Sequence, residues 1–281
     1  MSKHFAVFGD PIAHSLSPRI HAAFAKQTGI PLTYVAVHAP AATFESQLAD
    51  FSSGGGAGAN ITLPLKSLVV SLCAELSDFA GRIGAVNTLT RRLDGHWRGD
   101  NTDGPGLIRD LTARHGIDLT GQRVLMLGAG GAARAVGFAL LDAHVESVTI
   151  ANRTLARAVA LADALGEPDR VTTVLQTALD GMTPFDIIFD ATSAGHDGAD
   201  HFLPPQIFSS KTVGYHLSYG NASSGFLAQA QAAGAKQTID GLGMLVEQAA
   251  EAFRIWHGLR PDTDVIYSEL RSNASGILVS E

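Results

Sequence analysis

Apolar positions along the chain alternate between short runs and longer periodic stretches. Phe5 to Gly9 and Tyr34 to His38 are runs rich in β-branched and aromatic residues and predict strands, whereas Arg19 to Thr28 and Phe44 to Ser52 repeat apolar residues at helical spacing. Strand followed by helix, repeated, is the pattern of a mostly parallel sheet. Ser53 to Gly58 reads as a flexible lead-in to the next strand and Leu68 to Leu76 as a helix. Further on, Leu107 to His115 predicts a connecting helix, Gln122 to Leu127 a buried strand, Ala132 to Ala143 an apolar helix and Ser147 to Ala151 a strand. The helix Leu155 to Leu165 precedes strands at Val171 to Leu175, Asp186 to Asp190, Thr212 to Leu217 and Lys236 to Ile239. Met244 to Trp256 carries one apolar stripe of Leu245, Ala249, Ala252, Phe253 and Trp256, with Gln248 at its flank, and the chain after Pro261 reads as short helix or coil.

The stretch Gly58-Ala59-Asn60-Ile61-Thr62-Leu63-Pro64-Leu65-Lys66 combines alternation with chemistry. On an extended chain Ile61, Leu63 and Leu65 share one side, while Asn60, Thr62 and, if extension persists, Lys66 share the other. Pro64 cannot donate to a ladder, so the strand ends there and Lys66 lies beyond its C-terminal end, where open α/β sheets bind ligands. Ser15 and Ser17 lie in an earlier strand-to-helix loop, with Ser17 suited to cap the helix and Pro18 to its first position. Gly84 to Leu89 and Gly99 to Gly104 read as glycine-bounded polar turns, and Asp103 is the carboxylate to pair with Lys66.

Gly128-Ala129-Gly130-Gly131-Ala132-Ala133 follows a predicted strand and opens a helix within a strand–helix–strand unit, the context in which such a glycine turn binds a dinucleotide. Gly128 permits the tight turn, Gly130 the close approach of backbone N–H groups to a pyrophosphate, and the helix start at Gly131 and Ala132 adds positive potential. The next strand ends in Asn152-Arg153-Thr154, with Arg157 one turn on, where an NAD site places an acid. Two guanidiniums and a hydroxyl suit a 2′-phosphate, so NADP is the expected cofactor. Ala191-Thr192-Ser193 forms a small-residue loop at a strand end suited to a nicotinamide ribose.

Bulk properties narrow the partners. The 281 residues suffice for two domains, and a net charge of -7 without a long basic run argues against nucleic acid or an anionic membrane surface. No apolar run reaches the roughly 18 residues of a membrane helix. Cys73, the single cysteine, excludes an intrachain disulfide and fits a cytoplasmic, reducing compartment. A small-molecule substrate is expected, with no metal, for a monomer or homodimer.

Together, Ser15-Leu16-Ser17-Pro18, the Asn60 to Lys66 stretch, Gly84-Ala85-Val86-Asn87-Thr88, Gly99 to Gly104, the glycine turn with Asn152-Arg153-Thr154, Ala191-Thr192-Ser193, and Gly241-Leu242-Gly243-Met244 with Gln248 resemble the shikimate dehydrogenase family. The likeness implies an open α/β substrate domain, residues 1–103, completed by C-terminal helices in 244–281, and a doubly wound Rossmann domain, 104–243, with the site in the cleft between them. It implies that Ser15, Ser17, Asn60, Thr62, Asn87, Tyr219 and Gln248 hold shikimate. Lys66 and Asp103 are the implied catalytic pair, and Leu217 and Gly241 lie by the nicotinamide. The chain departs from the family pattern at His216, where members usually carry aspartate, and at Asn221 to Gly225, which lacks the usual proline and threonine. A quinate or broad-specificity dehydrogenase and a non-catalytic ligand-binding protein are the alternative readings; a binder has no need of both Lys66 and Asp103.

Overall fold

A computed structural model of the chain describes residues 2–192 and 202–276, the latter with side chains to 272. Two compact units emerge, one of Met1–Gly106 with Leu245–Glu281, the other of Leu107–Met244.

The first unit is built on a mixed sheet of β1 (Lys3–Gly9), β2 (Leu32–His38), β3 (Gly56–Ile61), β4 (Cys73–Leu76), β5 (Thr88–Arg91) and β6 (Trp97–Asp100), in the order β2-β1-β3-β5-β6-β4. β1 runs parallel to β2 and β3, and β4 to β6, while β5 alone runs antiparallel, to both β3 and β6, so the sheet is mostly parallel, as the sequence pattern predicts. Its helices are α1 (Ser17–Thr28), α2 (Phe44–Ser53) and α3 (Asp78–Ile83), with α8 (Leu242–His257) and α9 (Asp264–Gly276) returning late in the chain. Alternation along β1 decides the layers: Ala6 and Phe8 join Phe44, Leu48, Ile61 and Leu65 on one face. Phe5 meets Ala252 and Trp256 of α8 on the other. Gly58 lets that helix seat, since a Cβ there would lie 2.6 Å from the Trp256 indole nitrogen, which donates to Leu89 O at 3.0 Å.

His21 is fully buried and stacks on Tyr34, ring centroids 4.3 Å apart. Burial, reinforced by His257, lowers its pKa from 6.5 to about 3. The fold therefore holds His21 neutral while the unfolded chain takes up a proton, so this group's stabilisation is complete above pH 6.5 and is lost as pH falls toward 3. Unfolding free energy against pH, from denaturant titrations, should show a shallower acid slope in His21→Phe than in the parent, the difference reaching at most about 1.4 kcal/mol per pH unit; identical slopes would contradict the assignment.

The second unit has a fully parallel sheet of β7 (Arg123–Leu127), β8 (Ser147–Asn152), β9 (Val171–Leu175), β10 (Ile187–Asp190), β11 (Val213–His216) and β12 (Gln237–Ile239), ordered β12-β11-β10-β7-β8-β9. α4 (Asp103–Arg109) leads into this unit, and α5 (Gly131–Asp142), α6 (Leu155–Leu165) and α7 (Asn221–Ala232) follow. This is the doubly wound order, and its direction reverses between β7 and β10, which places a ligand crevice at the C-terminal ends of those two strands.

Several local expectations change. Leu68 to Leu76 is not one helix but a 3-10 turn, Leu68–Leu72, followed by β4. Its pairing with β6 is close: a Cβ on Gly99 would stand 2.8 Å from Cys73 Sγ and 2.9 Å from Leu76 Cδ2, so glycine on the neighbour draws this segment into the sheet. The helix expected from Leu107 begins at Asp103 and widens into a π turn, Asp110–Arg114, where buried Asp110 accepts the Tyr215 hydroxyl at 2.7 Å. Gly84 to Asn87 forms a turn that enters β5 at Thr88, and Asn101 and Thr102 form a short turn between the end of β6 and the start of α4 at Asp103. The lead-in before β3 is shorter than expected, the strand starting at Gly56, and the chain beyond Pro261 forms a 13-residue helix.

Candidate active site

β3 ends at Ile61, one residue before Thr62. Thr62 N donates to Phe8 O at 2.9 Å and Leu65 N returns to Thr62 O at 2.9 Å, so the chain turns. Extension thus fails before Leu63, which is 66% exposed instead of sharing the apolar side with buried Ile61 and Leu65. The turn delivers Lys66 to the ends of β5 and β6: Val86 N donates to Lys66 O at 2.8 Å, and Asn87 N to Asp100 O at 3.0 Å.

There Lys66 Nζ donates to Asp103 Oδ2 at 2.8 Å, with side chains 26% and 14% exposed, enough shelter to strengthen the pair while leaving it reachable. Asp103 Oδ1 accepts from Asn87 Nδ2 at 2.8 Å, and Asp103 N donates to Asn101 Oδ1 at 3.0 Å. Asp100, the other carboxylate at this turn, faces Arg98 Nε at 3.3 Å instead. Asn87 Oδ1 accepts from Thr102 N at 2.8 Å and from the Thr88 hydroxyl at 2.9 Å. Asn60 Nδ2 reaches Asn87 O and Thr88 Oγ1, both at 3.1 Å, and the Tyr34 hydroxyl donates to Asn60 Oδ1 at 2.7 Å. Gln248 is buried, not solvated at a helix flank, with Oε1 3.4 Å from the Thr102 hydroxyl.

One network therefore joins Lys66, Asp103, Asn87, Asn60 and Gln248. Ser17 does not cap α1: the residue preceding the helix is Leu16, with no side-chain cap, and Ser17 N instead donates to Ser15 Oγ at 3.3 Å. The serine loop is thus self-bonded because Ser17 already lies within the helix. Thr62 stands beside the network, its methyl packed over Gly9, where a Cβ would come within 2.3 Å. Tyr34, Asn101 and Thr102 join the site without having been singled out by the sequence pattern, whereas Thr88 ends a motif on which the family likeness rests. Thr102 had a usable signal, its adjacency to Asp103, but Tyr34 looks like any strand aromatic.

In the second unit, Gly128 has φ +97°, a conformation suited to glycine, and Gly130 precedes α5 in extended conformation. Gly130, Gly131 and Ala132 are exposed and Ala129 partly so, leaving the first N–H groups of α5 open for an anion, and no acid sits in its first turn. At the end of β8, Arg153, Thr154 and Arg157 are exposed, and Asn152 Nδ2 is tied to Thr154 O at 2.9 Å. Glycine cradle, open helix start and two exposed guanidiniums fit a dinucleotide carrying a 2′-phosphate.

Asp190 Oδ1 holds Thr192 through its N–H at 2.9 Å and its hydroxyl at 2.7 Å, shaping the loop after β10; Ser193 lies outside the described residues. Leu217 N donates to Asp190 O at 3.0 Å and Gly241 N to Ser218 O at 3.0 Å. His216 is buried, accepts the Ser218 N–H on Nδ1 at 2.9 Å and lies with Nε2 3.6 Å from Asp190 Oδ2, so it braces both loops. Tyr219 is 37% exposed; burial of its phenol, then the charge of Asp240, raises its pKa above 10.0. Among the described residues no cluster suits a metal ion, and no helix is long and apolar enough to cross a membrane.

A doubly wound sheet with an open glycine turn at its switch point, together with an ammonium–carboxylate pair among amides and hydroxyls, defines a nicotinamide-dependent oxidoreductase of small polar substrates. Residues 7–89 match the substrate binding domain of shikimate dehydrogenase, 110–198 the shikimate/quinate 5-dehydrogenase model and 241–271 the shikimate 5′-dehydrogenase C-terminal domain. The chain belongs to the shikimate dehydrogenase family. It is 54% identical over 278 residues, 98% of both chains, to the shikimate dehydrogenase (NADP(+)) of Xanthomonas euvesicatoria pv. vesicatoria, and 53% identical over 270 residues, 95% of both, to that of Xylella fastidiosa. Among solved structures it is similar to an Ael1 enzyme of Pseudomonas putida (39% identity, TM-score 0.89, 96% and 98% covered). It is also similar to shikimate 5-dehydrogenase of Thermus thermophilus in complex with NADP(H) and shikimate (36%, 0.84, 96% and 99%).

Proposed function

We propose that the chain is an NADP-dependent dehydrogenase that reversibly reduces 3-dehydroshikimate to shikimate, in the chorismate route to aromatic amino acids. The contact of Lys66 Nζ with Asp103 Oδ2 at 2.8 Å carries this reading. Residues 1–103 with the helices of 244–281 bind the substrate, and 104–243 bind NADP. The reduced cofactor, NADPH, would supply the hydride for the ketone carbon, and NADP+ would take it back in reverse. As the ketone oxygen gains charge, Lys66 stabilises it and gives up a proton, and in reverse takes the hydroxyl proton. One ammonium proton is committed to Asp103, so two remain for the substrate. Asp103, itself held by Asn87, keeps the ammonium in place and turned toward the reacting oxygen. Ser15, Ser17, Asn60, Thr62, Asn87, Tyr219 and Gln248 hold the remaining hydroxyls and the carboxylate. Gly128 to Ala132 seat the pyrophosphate, Asn152, Arg153, Thr154 and Arg157 the adenosine 2′-phosphate, and Thr192, Ser193, Leu217 and Gly241 the nicotinamide half. The enzyme works in the cytoplasm as a monomer or homodimer.

Nicotinamide absorbance after mixing the protein with shikimate or quinate, each with NADP or NAD, tests the whole reading. Turnover with shikimate and NADP is expected; silence in all four mixtures with ligand binding retained would reject it. Arg153→Ala should raise KM for NADP on the order of tenfold, the loss of one charge-assisted contact of about 1.5 kcal/mol, and leave KM for NAD nearly unchanged. Equal effects on both cofactors would remove the 2′-phosphate assignment.

A further inference from the structure

The hydrogen bonds around Asn60 run in one direction. Asn87 O is a backbone carbonyl and can only accept, so the Asn60 atom facing it at 3.1 Å is the amide nitrogen and the atom facing Tyr34 is the oxygen. Both amide protons are then committed, one to Asn87 O and one to Thr88 Oγ1. The Thr88 proton goes on to Asn87 Oδ1 at 2.9 Å, and Asn87 Nδ2 donates to Asp103 Oδ1 at 2.8 Å. Tyr34 thus heads a line of donors that ends on the carboxylate bound to Lys66, and bonds aligned this way polarise one another. Burial pushes the Tyr34 phenol well above the usual 10.0, opposed by a hydrogen bond with Ser17, so it stays a donor across the working pH range. Its ring is fixed by the parallel stack on His21, tilted by only 8°.

We infer that Tyr34 is a positioning residue that acts through Asn60, locking the amide so that it meets a substrate hydroxyl with its oxygen alone. This rests on the substrate role proposed for Asn60. Asn60 has no amide proton left after Asn87 O and Thr88 Oγ1, so it is matched to a hydroxyl hydrogen and mismatched to the substrate carboxylate. That divides the work among the polar side chains of this unit: the carboxylate must find its donors elsewhere, and Asn60 discriminates for a hydroxyl at one ring position. Without the Tyr34 hydroxyl, the amide keeps its two donor contacts but loses the donor on its oxygen, so it is held on one side only and the head of the donor line is lost.

Tyr34→Phe keeps the ring and its stack and deletes only the donor. It should raise KM for shikimate by roughly five- to fiftyfold, the effect of leaving a sheltered acceptor unmatched, with kcat changed less and KM for NADP unchanged. Combined with Asn60→Ala, which alone raises the same KM, the Tyr34→Phe change should add nothing. Additive effects, or a lowered melting temperature with an unchanged shikimate KM in Tyr34→Phe, would overturn the positioning role and leave the substrate role of Asn60 standing. An unchanged KM in Asn60→Ala would overturn that substrate role and the inference with it.

Discussion

Replacing Lys66 by alanine lowers kcat by on the order of 10²–10⁴, with a smaller change in KM, because the ammonium acts on charge that develops in the transition state. The fold loses little: the side chain is partly exposed and its backbone is held independently by the Val86 N–H at 2.8 Å. Asp103→Asn keeps the shape and the Asn87 contact geometry but puts a neutral amide against the ammonium, so a smaller fall in kcat is expected from that variant. Steady-state rates with shikimate and NADP, taken beside circular dichroism of each variant, make the check. A folded Lys66→Ala protein with parental kcat would mean that another group moves the proton.

Gly241→Ala should damage cofactor use strongly. A Cβ there would stand 2.0 Å from Leu217 O and 2.6 Å from its carbonyl carbon, both backbone atoms with no rotamer to yield. Leu217 is itself tied to Asp190 O at 3.0 Å, and Leu242 N to Asp240 Oδ1 at 3.1 Å, so neither loop shifts without breaking hydrogen bonds. The strain, about 1–3 kcal/mol for an overpacked site, is expected to appear as a rise in the dissociation constant for NADP of tenfold or more and a lower melting temperature. Shikimate binding without cofactor should be unaffected. Gly181→Ala, where the added carbon meets nothing within 4 Å, is the control. Parental NADP affinity in Gly241→Ala, by calorimetric titration, would remove Gly241 and Leu217 from the cofactor site.

The parts of this architecture legible in the sequence are those governed by local rules. The parallel sheet of the second unit follows from apolar runs separated by helical stretches, and its glycine turn from spacing alone. The first unit is less legible because β4, β5 and β6 are four residues each, too short to show a period. β4 owes its conformation to a glycine on its neighbour, which no window over Leu68 to Leu76 contains. Alternation places Asn60 and Thr62 together, but the turn after Ile61 separates Leu63 from Leu65. Lys66 meets Asp103 by way of that turn and not by the extended chain that suggests the pairing. Ser17 looks like a cap but is not one, because it already lies inside the helix, whose preceding residue is Leu16. Tyr34 escapes a reading of the sequence because its hydroxyl matters only through residues 26 and more positions away.

The Trp256 indole on Leu89 O and the seat that Gly58 leaves for it have a bearing on synthesis. The sheet of the first unit leaves the ribosome first, yet the face carrying Phe5 receives its cover only when α8 has been made, after the whole Leu107–Met244 unit. That intervening unit brings all its own strands and can condense as soon as it is translated. The half started earliest is therefore completed last, and through most of translation its bare apolar face is a natural client for a chaperone.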